Sequence, residues 1–350
     1  MNAVKVGQYS VGPGHPAYII AEVGSNHNGD MALCRRLIEA AAEAGAHAVK
    51  FQSWNETSLI AEEEYGRNTQ YSDKKKHFGS LREMVRAYQF TAEQHREARK
   101  YCDAAGIAFC STPFSIEEVD LLEALDVPFF KIASMDIVHL PLLRYVARKG
   151  RPVMISTGMS TLAEIEQAVE TVRDEGNSQI VLLHCVSIYP PEYGTIHLRN
   201  IHTLEQAFEV PVGFSDHTLG TAIPLAAIAI GARVIEKHFT LDQEMSGWDH
   251  AISANPVEMK TIVQEGKNIF YALGSHQRRV SPAELEKRKK FRRSLVPRRA
   301  MQKGTVLAEQ DFLAKRPGTG ISPDELNYVV GRKLASDLSK DQVVRWADIE

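Results

Sequence analysis

The chain has 350 residues, 44% hydrophobic and 24% charged, the balance of an ordinary globular protein with room for one large domain and a smaller one. A net charge of −3 gives no general attraction to nucleic acid or to an acidic membrane surface. No stretch reaches the roughly 18 apolar residues of a membrane span, the start "MNAVKVGQYSVGPGHP" has no apolar leader core, and the four cysteines (Cys34, Cys102, Cys110, Cys185) form no CxxC spacing, so a cytoplasmic protein with reduced thiols is expected.

A first apolar strand is expected at 18–23, followed by the turn "EVGSNHNGD", which lacks the GxGxxG fingerprint of an open dinucleotide-binding sheet. Helix-period stretches follow at "MALCRRLIEAAAEA", "TAEQHREARKYCDAA" and "TLAEIEQAVETVRDE", the last opened by a Ser/Thr cap signal. Further strands are expected at 47–52, 107–111, 129–133, 152–156, 180–185, 211–215 and 233–238. "AGAHAVKFQ", "AGIAFCSTPF", "KGRPVMISTGM" and "IGARVIEKHF" each run from a glycine that can stop a helix into a continuously apolar strand, the pattern of a parallel sheet covered on both faces. Eight such strands over about 275 residues match an α/β chain folded as a (β/α)8 TIM barrel, whose usual size is roughly 250 residues.

The polar insertion at 53–90 is long enough to be a lid or a disordered loop, with Lys74–Lys76 a solvated patch. Residues 1–280 are assigned to the barrel and 281–290, in "SPAELEKRKKFRRS", to a charged linker. Residues 291–350 are assigned to a small mainly-β domain with short strands in "SLVPRRA" and "TVLAEQD".

Barrel enzymes place their chemistry at the C-terminal ends of the strands. Polar groups gather there: Glu22, Lys50, Gln52, Ser111, Thr112, Lys131, Ser134, Ser156, Thr157, His184, Ser215, His217, Glu236 and His238. Lys50 and Lys131 with the hydroxyls of Thr112, Ser134, Ser156 and Ser215 make a donor-rich cradle for a phosphate; the alternative is that the lysines are paired with buried carboxylates. His217 in "GFSDHT" and His238 in "VIEKHFT" end successive strands, where neutral imidazoles can ligate a divalent metal and leave open positions for substrate. Glu22 and Asp249 remain for proton transfer or for sugar hydroxyls.

The ordered motifs "IIAEVGSNHNGD", "AVKFQ", "STPF", "KIAS", "ISTGMS", "LLHC…IYP", "GFSDHT" and "KHFTLD" resemble the sialic acid (N-acetylneuraminate, nonulosonic acid) synthase family. The tail "RRSLVPRRAMQKGTVLAEQDFLAKRPGTGIS" is similar to that family's antifreeze-like SAF domain. The resemblance implies condensation of phosphoenolpyruvate with an open-chain N-acyl-hexosamine such as N-acetylmannosamine, with phosphate release and a divalent metal, Mn or Mg. It implies His217 and His238 as metal ligands, Glu22 and Lys50 as catalytic groups, and Lys50, Thr112, Lys131, Ser134, Ser156 and Ser215 as phosphoenolpyruvate contacts. It further implies Gln52, Tyr189 and Asp249 as sugar contacts, and Arg316 reaching the N-acyl group from the partner subunit of a homodimer with swapped tails.

Two departures bear on the acceptor. "CVSIYP" puts Ser187 where the family has a phosphoenolpyruvate-binding asparagine, a shorter group with one donor proton. "GWDHAIS" puts Trp248 and His250 beside Asp249, as sugar contacts or as packing on the rim. A metal-dependent sugar aldolase or isomerase, and a non-catalytic sugar-binding protein, are the competing readings.

Overall fold

The computed structural model describes residues 2–69, 71–73 and 76–350; the expected Lys74–Lys76 patch lies outside the described residues and side chains. The chain forms two compact units, Met1–Gly274 and Ser275–Glu350.

All eight expected barrel strands form, each within two residues of its expected bounds: β1 (Tyr18–Glu22), β2 (Ala48–Ser53), β3 (Ala108–Pro113), β4 (Phe130–Ile132), β5 (Val153–Ser156), β6 (Ile180–Cys185), β7 (Val212–Asp216) and β8 (Val234–His238). They are hydrogen-bonded in the order β3-β2-β1-β8-β7-β6-β5-β4, every pairing parallel. The two end strands, consecutive in the chain, lie against each other and close the barrel.

The continuous apolar runs read as strands because both faces are covered. Tyr18, Ile20, Ala48, Cys110, Met154, Val181, Leu183 and Val234 fill the interior, and a hairpin of Val4–Val6 and Tyr9–Val11 adds Val4, Val6 and Val11 to the same cluster, flooring the barrel. The alternate residues, such as Ile19, Val49, Phe109, Ile155, Leu182, Phe214 and Ile235, pack against the helices, the period-2 alternation of a strand.

The helix layer is α1 (Met31–Glu43), α2 (Ala92–Ala105), α3 (Ile116–Ala124), α4 (Leu140–Arg148), α5 (Leu162–Asp174), α6 (Asn200–Phe208), α7 (Ala222–Ala229) and α8 (Pro256–Leu273). On α1 the buried residues Leu33, Cys34, Leu37, Ile38 and Ala41 repeat at helical spacing, and Thr91, Thr161 and Asn255 close capping boxes at the starts of α2, α5 and α8, each satisfying backbone donors otherwise left open.

The insertion after β2 carries two short helices, Glu62–Arg67 and Leu81–Tyr88. Its Trp54, Tyr65, Leu81, Met84, Val85 and Tyr88 form a separate apolar cluster against which Phe114 and Trp248 pack. Trp248 is therefore engaged in packing, one of the two roles open to it from sequence.

In the second unit, the segment 281–290 expected as a linker is instead helix α9 (Pro282–Phe291). Ser281 and Glu284 form a reciprocal capping box and Pro282 starts the helix, while Arg288, Lys289 and Lys290 lie in the last turn, where cations complement the helix dipole. "SLVPRRA" yields a strand at Ser294–Pro297, but its antiparallel partner is Phe312–Lys315, not "TVLAEQD"; Val306 in that stretch makes only an isolated bridge with Lys333. Leu295, Met301, Leu307, Phe312, Ile321, Val329, Leu334, Leu338 and Val344 form this unit's core.

Candidate active site

Strand parity decides which strand-end groups enter the barrel mouth. Glu22 and Lys50 are register partners on β1 and β2, and both are almost fully buried, at 2% and 3% exposure. Lys50 Nζ lies 2.8 Å from Glu22 Oε2 and 3.6 Å from Glu236 Oε1, and donates to Thr112 Oγ1 at 3.1 Å. Lys131 Nζ lies 3.4 Å from the same Glu236 oxygen, which also accepts from Ser215 Oγ at 3.3 Å. Gln52 Nε2 donates to Glu22 Oε1 at 2.8 Å. The mouth therefore holds two ammoniums against two carboxylates: the lysines converge and are paired with buried carboxylates, the alternative the sequence left open. Glu236, which the sequence places at the mouth without a role, is the charge they share.

These environments push the four groups apart. Burial drives the Lys50 ammonium toward neutrality, but Glu22 and Glu236 outweigh it and raise its pKa. Lys131 is lowered, because burial outweighs the attraction of Glu236. Burial raises Glu22 above the usual carboxylate range, opposed by Lys50 and reinforced by the Glu236 charge. Glu236 faces both lysines, which overcome its burial and lower it. Two neighbouring carboxylates are thus shifted in opposite directions, the kind of environment in which acid–base pairs are found.

A second group of donors converges on Gly158. Its N–H donates to Ser134 Oγ at 3.0 Å, and a Cβ placed there would lie 2.8 Å from Ser134 Oγ and 2.3 Å from Ser187 Oγ. A side chain there would have to displace both hydroxyls, and Ser187 thus stands beside Ser134 despite its short side chain. Ser156 Oγ, Glu236 Oε2 and His238 Nδ1 are buried with no hydrogen-bond partner. Such groups are rare in a fold unless a ligand or ion completes them.

The two histidines stand together, ring centroids 5.5 Å apart. His217 Nδ1 faces the Val186 carbonyl at 2.9 Å; a carbonyl only accepts, so this nitrogen donates. Tyr189 lies over the His217 ring at 4.1 Å and presents its edge to His238 at 6.2 Å. Burial, then the charges of His217 and Lys50, hold His238 well below the ordinary imidazole range. Burial lowers His217 as well, but its hydrogen bond to Cys185 and that thiol's charge outweigh it and raise its pKa. Asp249 Oδ2 lies 3.8 Å from His238 Nδ1 and accepts from Ser25 Oγ at 3.4 Å. No cluster of three or more His, Cys, Asp or Glu with metal-holding geometry occurs among the described residues. A neutral, buried imidazole whose Nδ1 has no hydrogen-bond partner stands beside a second that donates from Nδ1 and also bonds the Cys185 thiol, so the two can serve a two-histidine metal site only where the metal displaces that thiol contact.

Three strand-end groups do not enter the mouth. Ser111 Oγ pairs with Ser53 Oγ at 2.7 Å, His184 Nε2 meets the Ile196 carbonyl at 2.6 Å, and Thr157 Oγ1 donates to the Leu183 carbonyl at 3.2 Å. Ser111, His184 and Thr157 fall on the strand parity opposite to Thr112, Cys185 and Ser156, whose neighbours at i−2 line the interior. His250 is 1% exposed and held by Thr240 Oγ1 at 2.6 Å, a packing role. Arg316 belongs to the second unit, where it is exposed and lies over the Phe291 ring at 4.8 Å.

The sequence and fold are similar to those of known proteins. Residues 37–278 match the NeuB family and residues 292–350 the SAF domain. The chain is 40% identical over 341 residues, 95% of this chain and 94% of the relative, to the N,N'-diacetyllegionaminic acid synthase of Legionella pneumophila. It is 34% identical to the N-acetylneuraminate-9-phosphate synthase of Homo sapiens, over 95% of this chain and 93% of the relative. The crystal structure of N-acetylneuraminic acid (sialic acid) synthetase from Leptospira borgpetersenii, in complex with citrate, superposes with a TM-score of 0.74 at 34% identity, covering 82% of this chain and 95% of that one. The eight-stranded barrel with its buried lysine–carboxylate mouth, and these matches along its length, place this chain in the NeuB family, with a C-terminal SAF domain.

Proposed function

We propose that the chain is a nonulosonic acid synthase that condenses phosphoenolpyruvate with the open-chain form of an N-acyl-hexosamine, releasing inorganic phosphate. The observation that carries this reading is the mouth itself: Lys50 and Lys131 buried beside Glu22 and Glu236, with Thr112, Ser134, Ser156, Ser187 and Ser215 around them. A metal-dependent aldolase or isomerase, or a passive sugar-binding protein, has no need of two buried ammoniums.

In the proposed reaction C3 of phosphoenolpyruvate forms a bond to the aldehyde carbon of the acceptor, whose oxygen takes up a proton. Water adds at C2, the bond from C2 to the phosphate oxygen breaks, and phosphate and a 2-keto acid leave. Lys50 and Lys131 hold the anionic substrate and align its C3, converting an encounter into a positioned attack. Ser134, whose Oγ accepts from the Gly158 amide, and Ser187 add hydroxyl donors. Glu22, its pKa raised by burial, holds and moves a proton at its carboxylate, oriented by Gln52. A divalent metal between His217 and His238 would supply a Lewis acid for the acceptor carbonyl. Asp249 and Gln52 face the acceptor's hydroxyls, and Tyr189 walls the His217 side.

The second proposed partner is another copy of this chain, with Arg316 of its tail reaching the acceptor's acyl group. Met135, Val138, Met159, Ile188 and Tyr193, on the segments that follow the strands, and Leu162 at the start of α5 are exposed apolar side chains, an apolar rim of the kind that interfaces cover. Arg316 is itself exposed.

The test is a screen of N-acetylmannosamine, mannose and diacetamido-hexoses with phosphoenolpyruvate and Mn2+, read by mass spectrometry. The reading expects a product carrying three additional carbons with an N-acyl acceptor; no such product with any acceptor would refute it.

A further inference from the structure

Behind the two histidines, on the helix-facing side of the same strands, lies a second ion pair. Asp216 and Lys237 are register partners on β7 and β8, on the parity of Phe214, Ile235 and Phe239, which pack into the apolar layer between barrel and helices. Both are 1% exposed. Lys237 Nζ lies 2.7 Å from Asp216 Oδ2 and also donates to the Thr218 carbonyl, while Thr218 N donates to Asp216 Oδ1 at 2.8 Å. One ammonium therefore grips the residues on both sides of His217, from the position immediately before His238.

A buried ion pair in an apolar layer adds little stability over apolar side chains of the same size. What this pair does contribute is geometry. His217 has a carbonyl on Nδ1 to hold its ring, but His238 Nδ1 has no hydrogen-bond partner, so ring contacts and the position of its backbone set the orientation of His238. We infer that Asp216 and Lys237 are positioning residues that fix the separation and orientation of His217 and His238, and through them the affinity of the mouth for a divalent cation. The cation part of this inference rests on the metal reading above.

The experiment compares wild type, the double variant Asp216→Leu/Lys237→Met, Lys237→Arg, and His238→Ala as the control that removes a ligand. The double variant deletes both charges and leaves neither buried alone. Three quantities are measured on the full chain: thermal midpoint by circular dichroism, Mn2+ affinity by electron paramagnetic resonance, and the imidazole resonances in long-range 1H–15N spectra without metal. The expected result is a double variant that melts near wild type, binds Mn2+ about ten- to a hundredfold more weakly, and shows displaced His217 and His238 resonances beside unchanged ones for His95 and His184. Lys237→Arg keeps the charge but moves the donor, and should lose Mn2+ affinity by a smaller factor. Wild-type Mn2+ affinity with superposable His217 and His238 spectra in the double variant overturns the inference; if that variant does not fold, the same result in Lys237→Arg does so. If wild type itself binds no Mn2+, the metal reading fails on its own, and the imidazole spectra still decide the positioning role.

Discussion

Glu22 Oε2 and Lys50 Nζ, register partners on β1 and β2, meet at 2.8 Å inside a mouth where each is almost wholly removed from water. The pair ties the electrostatics of the site to the stability of the barrel. A buried charge stripped of its partner is far more costly than a pair removed together.

Lys50→Met should therefore lower the unfolding free energy by about 3–5 kcal/mol, and Glu22→Gln/Lys50→Met by clearly less. Urea denaturation of the wild type and the two variants measures this. Equal losses in both variants would mean that the pairing carries no energetic coupling.

Lys131 is expected to serve the anionic substrate. Its contact with Glu236, at 3.4 Å, is longer than the 2.8 Å between Lys50 and Glu22. Lys131→Met keeps the stem and removes the charge, and should weaken phosphoenolpyruvate binding by ~1.5–3 kcal/mol, with acceptor binding unaffected. Isothermal titration with each substrate separates the two, and unchanged phosphoenolpyruvate affinity contradicts the assignment.

Asp136 makes a pH prediction. Burial is the main cause that lifts its pKa to about 6, against a pull down by His139 and a further push up by Glu118, and its Oδ2 is buried with no hydrogen-bond partner. The folded state then binds the proton more tightly than the unfolded chain, so the stabilisation is complete below about pH 4 and is lost as pH rises through about 6. Asp136→Asn, which cannot ionise, should be more stable than wild type by about 1–3 kcal/mol at pH 7.5 and no more stable at pH 4. Urea unfolding at the two pH values checks both sign and window.

The barrel was legible because its strands are continuously apolar and its helices carry caps, so length and period sufficed. The mouth was legible because parity alone sends Glu22, Lys50, Gln52, Thr112, Lys131, Ser156, Ser215, Glu236 and His238 inward. The same parity sends Ser111 and His184 toward the helices, a distinction missed when strand-end residues are grouped by position only. The Asp216–Lys237 pair could not be read, since it depends on the register of two strands 21 residues apart in the chain. The basic run in α9 looks like a linker by composition, although Ser281 and Glu284 already spelled a capping box. His250 looks like a site residue beside Asp249, and only the structure shows it buried and hydrogen-bonded to Thr240.

If each active site takes its acyl-group contact from a partner's tail, two disabled chains should complement each other. Co-expressed His238→Ala and Arg316→Ala chains would form mixed dimers in which one barrel and one tail remain intact together. With random pairing and independent sites, about a quarter of wild-type activity should return. No recovery, with mixed dimers verified by native mass spectrometry, rules out the exchanged arrangement while leaving the barrel chemistry untouched.

The most direct measurement of the central claim follows the bridging oxygen of phosphoenolpyruvate. With that atom labelled as 18O, Mn2+ present and an N-acyl-hexosamine as acceptor, the account predicts inorganic phosphate released in step with the 2-keto acid and carrying the label, because the bond broken is the one from C2 to oxygen. Label retained in the organic product, or phosphate released equally well without acceptor, would contradict it.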